Sequence, residues 1–405
     1  MSFAELWASL LPVGRDPATG GYRRFSWTPA DAACRAWFSR AAADRGLRAG
    51  TDGNGNLWAW WEPPEATGPA VVTGSHLDSV PNGGAFDGPL GVVSGFAAID
   101  LLREQGQVPV RPLGIAAFSE EEGGRFGVAC LGSRLLTGAI SPGVARDLAD
   151  SAGVTLAAAM AAAGHDPAGL GPDDSLLAGI GAYVELHVEQ GRALAEAGTA
   201  MGIGERIWPH GRWRLDFTGR PDHAGTAVLA DRHDPMLPFA ATVLAARQAA
   251  AAHGALATVG RVTAEPGAVN AVSARVTAWL DARGPDDQAL REVVDEVLAA
   301  AGTQAAVHGV RLAAGPESVT AAVEFDPALR SSVAAALAAT EIAAVPLPTG
   351  AGHDAGVLAA RVPAAMLFVR NPTGVSHSPA EHAELADCQT GVRALAAVLA
   401  DLACR

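Results

Sequence analysis

Ala70-Val-Val-Thr-Gly-Ser-His-Leu-Asp78 is the stretch that decides the fold. An apolar run with strand character ends in a histidine and an aspartate two residues apart. A helical pattern follows from about Leu90 to Glu104, and a second apolar run covers Leu113–Phe118. Such runs alternating with helices predict an α/β fold around a mainly parallel, buried sheet. The pattern continues outward. Thr28-Pro29 caps a helix through Ala41, and Leu57–Trp61 and Ala182–Val188 read as strands. Near the end come a helix at Pro327–Ala339, a strand at Ala364–Val369 and a helix at Cys388–Leu402.

The pattern changes between these parts. Arg212–Thr218 alternates like a half-exposed strand, and Met236–Ala252 is an Ala-rich helix. Ala255–Ala264 and Val272–Ala282 read as strands, Asp286–Val307 as a helix and Val310–Ala314 as a strand. The order βαββαβ describes a ferredoxin-like unit inserted into the first domain. The expected division is therefore 1–209, 210–324 and 325–405.

A chain of 405 residues is expected to hold two domains. Its net charge of −14 argues against nucleic acid and anionic membrane as partners. No apolar run approaches the roughly 20 residues that span a bilayer. Met1-Ser-Phe-Ala-Glu-Leu-Trp7 shows no secretory signal, and the four cysteines are scattered. A cytoplasmic protein with reduced thiols is expected. There is no lysine at all. Schiff-base chemistry, a phosphate-loop lysine and a carbamylated-lysine metal bridge are thereby excluded.

Chemistry-bearing residues gather where strands run out, as ligands do in such sheets. His76 is placed to bind metal while Asp78 accepts its other ring proton. Asp87 follows in a turn-rich loop, where the bland alternative is a helix cap. Glu121 and Glu122 are adjacent, so one can coordinate an ion while the other faces a water. The bland alternative there is an exposed acidic turn. In Tyr183-Val-Glu-Leu-His-Val-Glu189 the residues Glu185, His187 and Glu189 share one face. A polar face on a buried strand needs a reason, unless it lies at a wet sheet edge. His377 lies in a loop. Histidine and carboxylate donors without thiolate suit Zn²⁺, with Mn²⁺, Co²⁺ or Ni²⁺ as alternatives.

These segments together resemble one family. They are Gly74–Gly84, Phe86–Gly91, Glu121–Gly127, Glu185–Gly191, His223-Ala-Gly-Thr226, Pro266–Asn270, Gly350–Ala355 and Val375–Pro379. The family contains N-carbamoyl-L-amino-acid hydrolases, β-ureidopropionases and allantoate amidohydrolases. It belongs to the dinuclear metallohydrolases that include carboxypeptidase G and aminoacylases. The resemblance implies two divalent ions, one held by His76 and His187, the other by Glu122 and His377, with Asp87 as bridge. It implies Glu121 as general base, with Asp78 and His223 assisting. Gln190, Asn270, Arg283, Gly352 and His353 are implied at the substrate, Arg283 on a carboxylate. The insert is implied to be a lid and homodimerisation domain, with His223 and Asn270 reaching the partner's site. Ala227-Val228-Leu229 and Ile207–Trp213 depart from the usual family pattern, which leaves side-chain preference open. The expected reaction is hydrolysis of a linear amide or ureido C–N bond in a small molecule. An aminoacylase or dipeptidase is the nearer alternative, and a non-catalytic metal-dependent binding protein the remote one.

Overall fold

The computed structural model describes residues 2–405, which fall into two compact units. One comprises residues 2–205 with Glu324–Arg405; the other is Arg206–Val323. The boundaries fall at 206 and 323, where the sequence pattern placed them at 210 and 324.

The first unit is built on a nine-stranded mixed sheet. Its order from one edge is Arg48–Thr51, Leu57–Trp61, Leu113–Phe118, Ala70–His76, Ile180–Val188, Ala364–Val369, Met201–Ile207 and Val323–Glu324, with Ala344–Thr349 also paired to Met201–Ile207. The middle four strands are parallel, and the pairs toward both edges are antiparallel. The sequence pattern missed Arg48–Thr51, Met201–Ile207 and Ala344–Thr349. Arg48–Thr51 is fully exposed, and Ala344–Thr349 buries only Leu347 and Thr349. These two strands carry no continuous buried hydrophobic run to read.

Ile180–Val188 lies in the middle of the sheet, so the wet-edge alternative does not hold. Val184, Leu186 and Val188 join the large core formed with the helices Pro89–Glu104, Pro327–Ala339 and Leu385–Ala403. Full burial stabilises each such side chain by about 1.5–3 kcal/mol. The opposite face carries Tyr183, Glu185 and His187, all buried.

The second unit is a four-stranded antiparallel sheet in the order Arg311–Thr320, His210–Thr218, Arg275–Arg283, Leu256–Glu265. The helices Met236–Ala252 and Asp287–Val307 supply Ala246, Ala249, Val293, Val294 and Val297 to one core with Leu215, Phe217, Val276 and Leu280. Asp286 precedes the second helix and caps it, its carboxylate accepting the Ala289 N–H at 2.8 Å. Among the described residues, no helix is long and apolar enough to cross a membrane.

Candidate metal centre

His76 is the last residue of its strand, and His187 lies one residue before the end of its own. The loop between His76 and the helix Pro89–Glu104 brings Asp87 back to both rings. Gly88 makes this possible: its φ is +83°, and a Cβ there would sit 2.3 Å from His76 Cε1.

Asp87 Oδ1 lies 3.2 Å from His187 Nε2 and 3.5 Å from His76 Nε2. Its Oδ2 lies 3.6 Å from His377 Nε2, which is 3.3 Å from Glu122 Oε2. Three three-residue donor groups result: His76–Asp87–His187 and Asp87–Glu122–His377, which share Asp87, and Glu185–His187–His353 beside the first. The donors fit a divalent cation on an independent observation. His76 Nε2 is buried without a hydrogen-bond partner, although Asp87 Oδ1 and Glu121 Oε2 (3.6 Å) face it. A nitrogen lone pair ringed by carboxylate oxygens beyond hydrogen-bond range suits a cation between them.

The electrostatics agree. Burial alone would lower the His76 pKa, but the charges of Glu121, Asp78 and Asp87 raise it well above the usual value. Burial opposes Asp87 ionisation, yet His187 and His76 hold its pKa well below the carboxylate range. The Glu122 carboxylate, against burial, pushes His377 up to about 9. Each effect marks charge complementarity that a bound cation would take over.

Glu121 belongs to none of these donor groups. Its carboxyl is buried and its pKa is raised well above normal, first by desolvation and then by the charges of Asp354, Glu122 and Asp78. The neighbouring Glu122 charge is thus a lesser cause than the burial, which the sequence did not reveal. Cys130 Sγ donates to Glu121 Oε1 at 3.2 Å, a contact not foreseen for a scattered thiol. Glu120, Cys130 and His377 all take left-handed φ values of +54° to +56°, backbone strain of the kind that collects at functional sites.

Asp78 faces both His76 and the two glutamates. His76 Nδ1 is nearest the Asp78 backbone carbonyl, at 3.2 Å, while the carboxylate is 3.5 Å away. That carboxylate also accepts the N–H groups of Glu121 at 3.2 Å and Glu122 at 3.1 Å. It therefore orients the two glutamates.

Gln190 Nε2 donates to Asp87 Oδ2 at 2.8 Å, and Ser376 Oγ to the same oxygen at 3.1 Å. His353 is buried with its ring centroid 4.6 Å from that of His187; Gly352 before it is exposed. In the second unit, His223 pairs with Ala271, and Asn270 O accepts the Ala224 N–H at 3.0 Å. Arg283 is not with them. It sits at the far end of Arg275–Arg283, opposite His210 and Leu256, with Nε on Asp281 at 3.0 Å. At about 3.3 Å per residue, roughly 26 Å of strand separates the two ends.

The family model described as peptidase family M20/M25/M40 matches residues 72–401. An N-carbamoyl-L-amino acid amidohydrolase of Geobacillus stearothermophilus is 36% identical over 404 residues, covering 96% of both chains. An allantoate amidohydrolase of Escherichia coli K12 is 32% identical, covering 97% of this chain and 96% of that one. The crystal structure of a hydantoinase/carbamoylase family amidase from Burkholderia vietnamiensis superposes with a TM-score of 0.88 at 30% identity, covering 100% of this chain and 98% of that one. With its histidine and carboxylate donors of divalent-metal type, the chain belongs to the peptidase family M20/M25/M40 and is a metal-dependent amidohydrolase.

Proposed function

We propose that the protein hydrolyses a linear ureido C–N bond in an N-carbamoyl-L-amino acid or in allantoate. The observation that carries this reading is Asp87 shared between two donor groups, with Glu121 beside them but in neither. His76 and His187 would hold one ion, and Glu122 and His377 the other. Zn²⁺ is the first choice for nitrogen and oxygen donors, and Mn²⁺, Co²⁺ and Ni²⁺ remain compatible. Ions bound there would acidify water and polarise a carbonyl oxygen.

Glu121 takes one proton from the attacking water and passes it to the leaving nitrogen. Asp78 holds the backbone amides of Glu121 and Glu122, so base and ligand keep separate directions. His223 hydrogen-bonds the oxyanion that forms at the carbonyl. Arg283 pairs with the substrate carboxylate, with Gln190, Asn270, Gly352 and His353 around the ureido end. In the carbamoyl case the products are the amino acid, ammonia and carbon dioxide.

A small substrate cannot reach both ends of one lid sheet, so His223 and Asn270 are assigned to the partner's site. This assignment requires a homodimer, which we place on the second unit. Leu237 (50% exposed) and Leu244 (66% exposed) form an apolar patch on the helix Met236–Ala252. The edge strand Leu256–Glu265 is almost entirely exposed and offers unpaired backbone groups. We place the protein in the cytoplasm, where its four free cysteines would stay reduced.

The test is ammonia release from N-carbamoyl-L-amino acids and from allantoate by Zn²⁺- or Mn²⁺-reconstituted protein. N-acyl amino acids and dipeptides complete the panel. Turnover of the acyl or peptidyl substrates alone would overturn the ureido reading.

A further inference from the structure

Glu381 lies outside all three donor groups, in the turn that follows His377, and is buried. Its Oε1 accepts two consecutive backbone N–H groups, those of Phe86 at 2.8 Å and Asp87 at 3.0 Å. Its own N–H donates to Ser378 O at 3.0 Å. One side chain thus ties the turn that carries His377 to the loop that carries Asp87, 294 positions away.

The loop is shaped around this carboxylate. A Cβ on residue 84 would lie 2.4 Å from Glu381 Oε1 and 2.6 Å from Glu381 Cβ, so the close approach needs Gly84. Phe86 is also fixed from elsewhere, stacked on Trp7 at 4.9 Å and edge-on to His382 at 6.0 Å.

We propose that Glu381 is a positioning residue for Asp87: by clamping the amides of Phe86 and Asp87 it fixes how the shared carboxylate divides its oxygens between the two donor groups. The proposal rests on the two-ion reading of the centre and is independent of the substrate. Bonds to two successive amides set both the position and the tilt of the loop peptide. Glu381 acts through Asp87.

The experiment compares Glu381→Met with Glu381→Gln in the full-length chain. Zn²⁺ affinity is measured by competition with a chromogenic chelator, and kcat and KM are measured separately. Glu381→Met is expected to weaken Zn²⁺ binding by about 10–100-fold, the usual effect of losing a partner behind a ligand. Its kcat falls while KM changes little. Glu381→Gln keeps an acceptor oxygen in place and restores most of both. Wild-type Zn²⁺ affinity in Glu381→Met, or a Gln variant as defective as Met, overturns the proposal. Should Glu381→Met fail to fold, Gly84→Ala displaces the carboxylate without removing it and decides the matter. Weakened Zn²⁺ binding there supports the clamp, and unchanged binding overturns it. Failure of the wild-type chain to bind Zn²⁺ overturns the metal reading itself.

Discussion

Asp87 Oδ1 lies 3.2 Å from Nε2 of His187, so this oxygen of the aspartate faces the His76–His187 group. The other oxygen is left for the Glu122–His377 side. Because one residue serves both groups, Asp87→Asn is expected to deplete both ions together. An amide nitrogen cannot replace a carboxylate oxygen as a donor. Metal analysis after dialysis checks this. Loss of only one ion per chain would show that Asp87 is not shared.

Asp78 accepts two main-chain amides, so its removal exposes two donors with no other use. Asp78→Ala is expected to cost about 1–3 kcal/mol for each amide left buried and unpaired. Asp78→Asn keeps one acceptor oxygen and should recover part of that loss. Chemical denaturation of the three proteins at one pH gives the comparison. Equal midpoints would remove the orienting part assigned to Asp78.

How much of this was legible in the sequence differs by position. The four central parallel strands were readable because both faces are covered, leaving continuous apolar runs such as Ala364–Val369. The donor residues were readable because each sits at a strand end or in a Gly-rich loop. Glu381 and Cys130 were not. Both act through contacts made only by folding, and neither lies in a motif that differs from a turn glutamate or a core thiol. Asp78 was expected to face His76, and its further contacts with the amides of Glu121 and Glu122 were not legible. Main-chain amides leave no trace in a one-letter sequence.

Acid stability should depend on Asp216 in the second unit. Burial would raise its pKa, but hydrogen bonds from Thr277, Arg214 and Arg275 bring it down to about 2 from an ordinary 3.8. A pKa depressed in the folded state gives stability that is fully present above the unfolded value. That contribution is lost as pH falls from 3.8 toward about 2. Urea midpoints measured from neutral pH down through this window should fall more steeply for the wild type than for Asp216→Asn. Identical slopes would contradict the assignment.

Action of His223 across a dimer makes a mixing prediction. Glu121→Gln and His223→Ala subunits are each expected to be nearly inactive alone. In a mixed dimer, the His223→Ala subunit keeps Glu121 and receives His223 from its partner. With random exchange, half the dimers are mixed and half their sites are intact, so about a quarter of wild-type activity returns. No recovery after proven exchange would place His223 in its own subunit's site. Leu244→Glu, which puts a charge in the proposed contact, is expected to shift the wild-type dimer to monomer in sedimentation.

The central claim is that Glu121 moves the proton while its neighbour binds metal. The most direct test is Glu121→Gln, assayed for turnover on the best ureido substrate with metal content measured in the same preparation. Wild-type metal content is expected, with kcat lowered by about 10²–10⁴-fold, the usual range for a lost general base. Full turnover at wild-type metal content would contradict it.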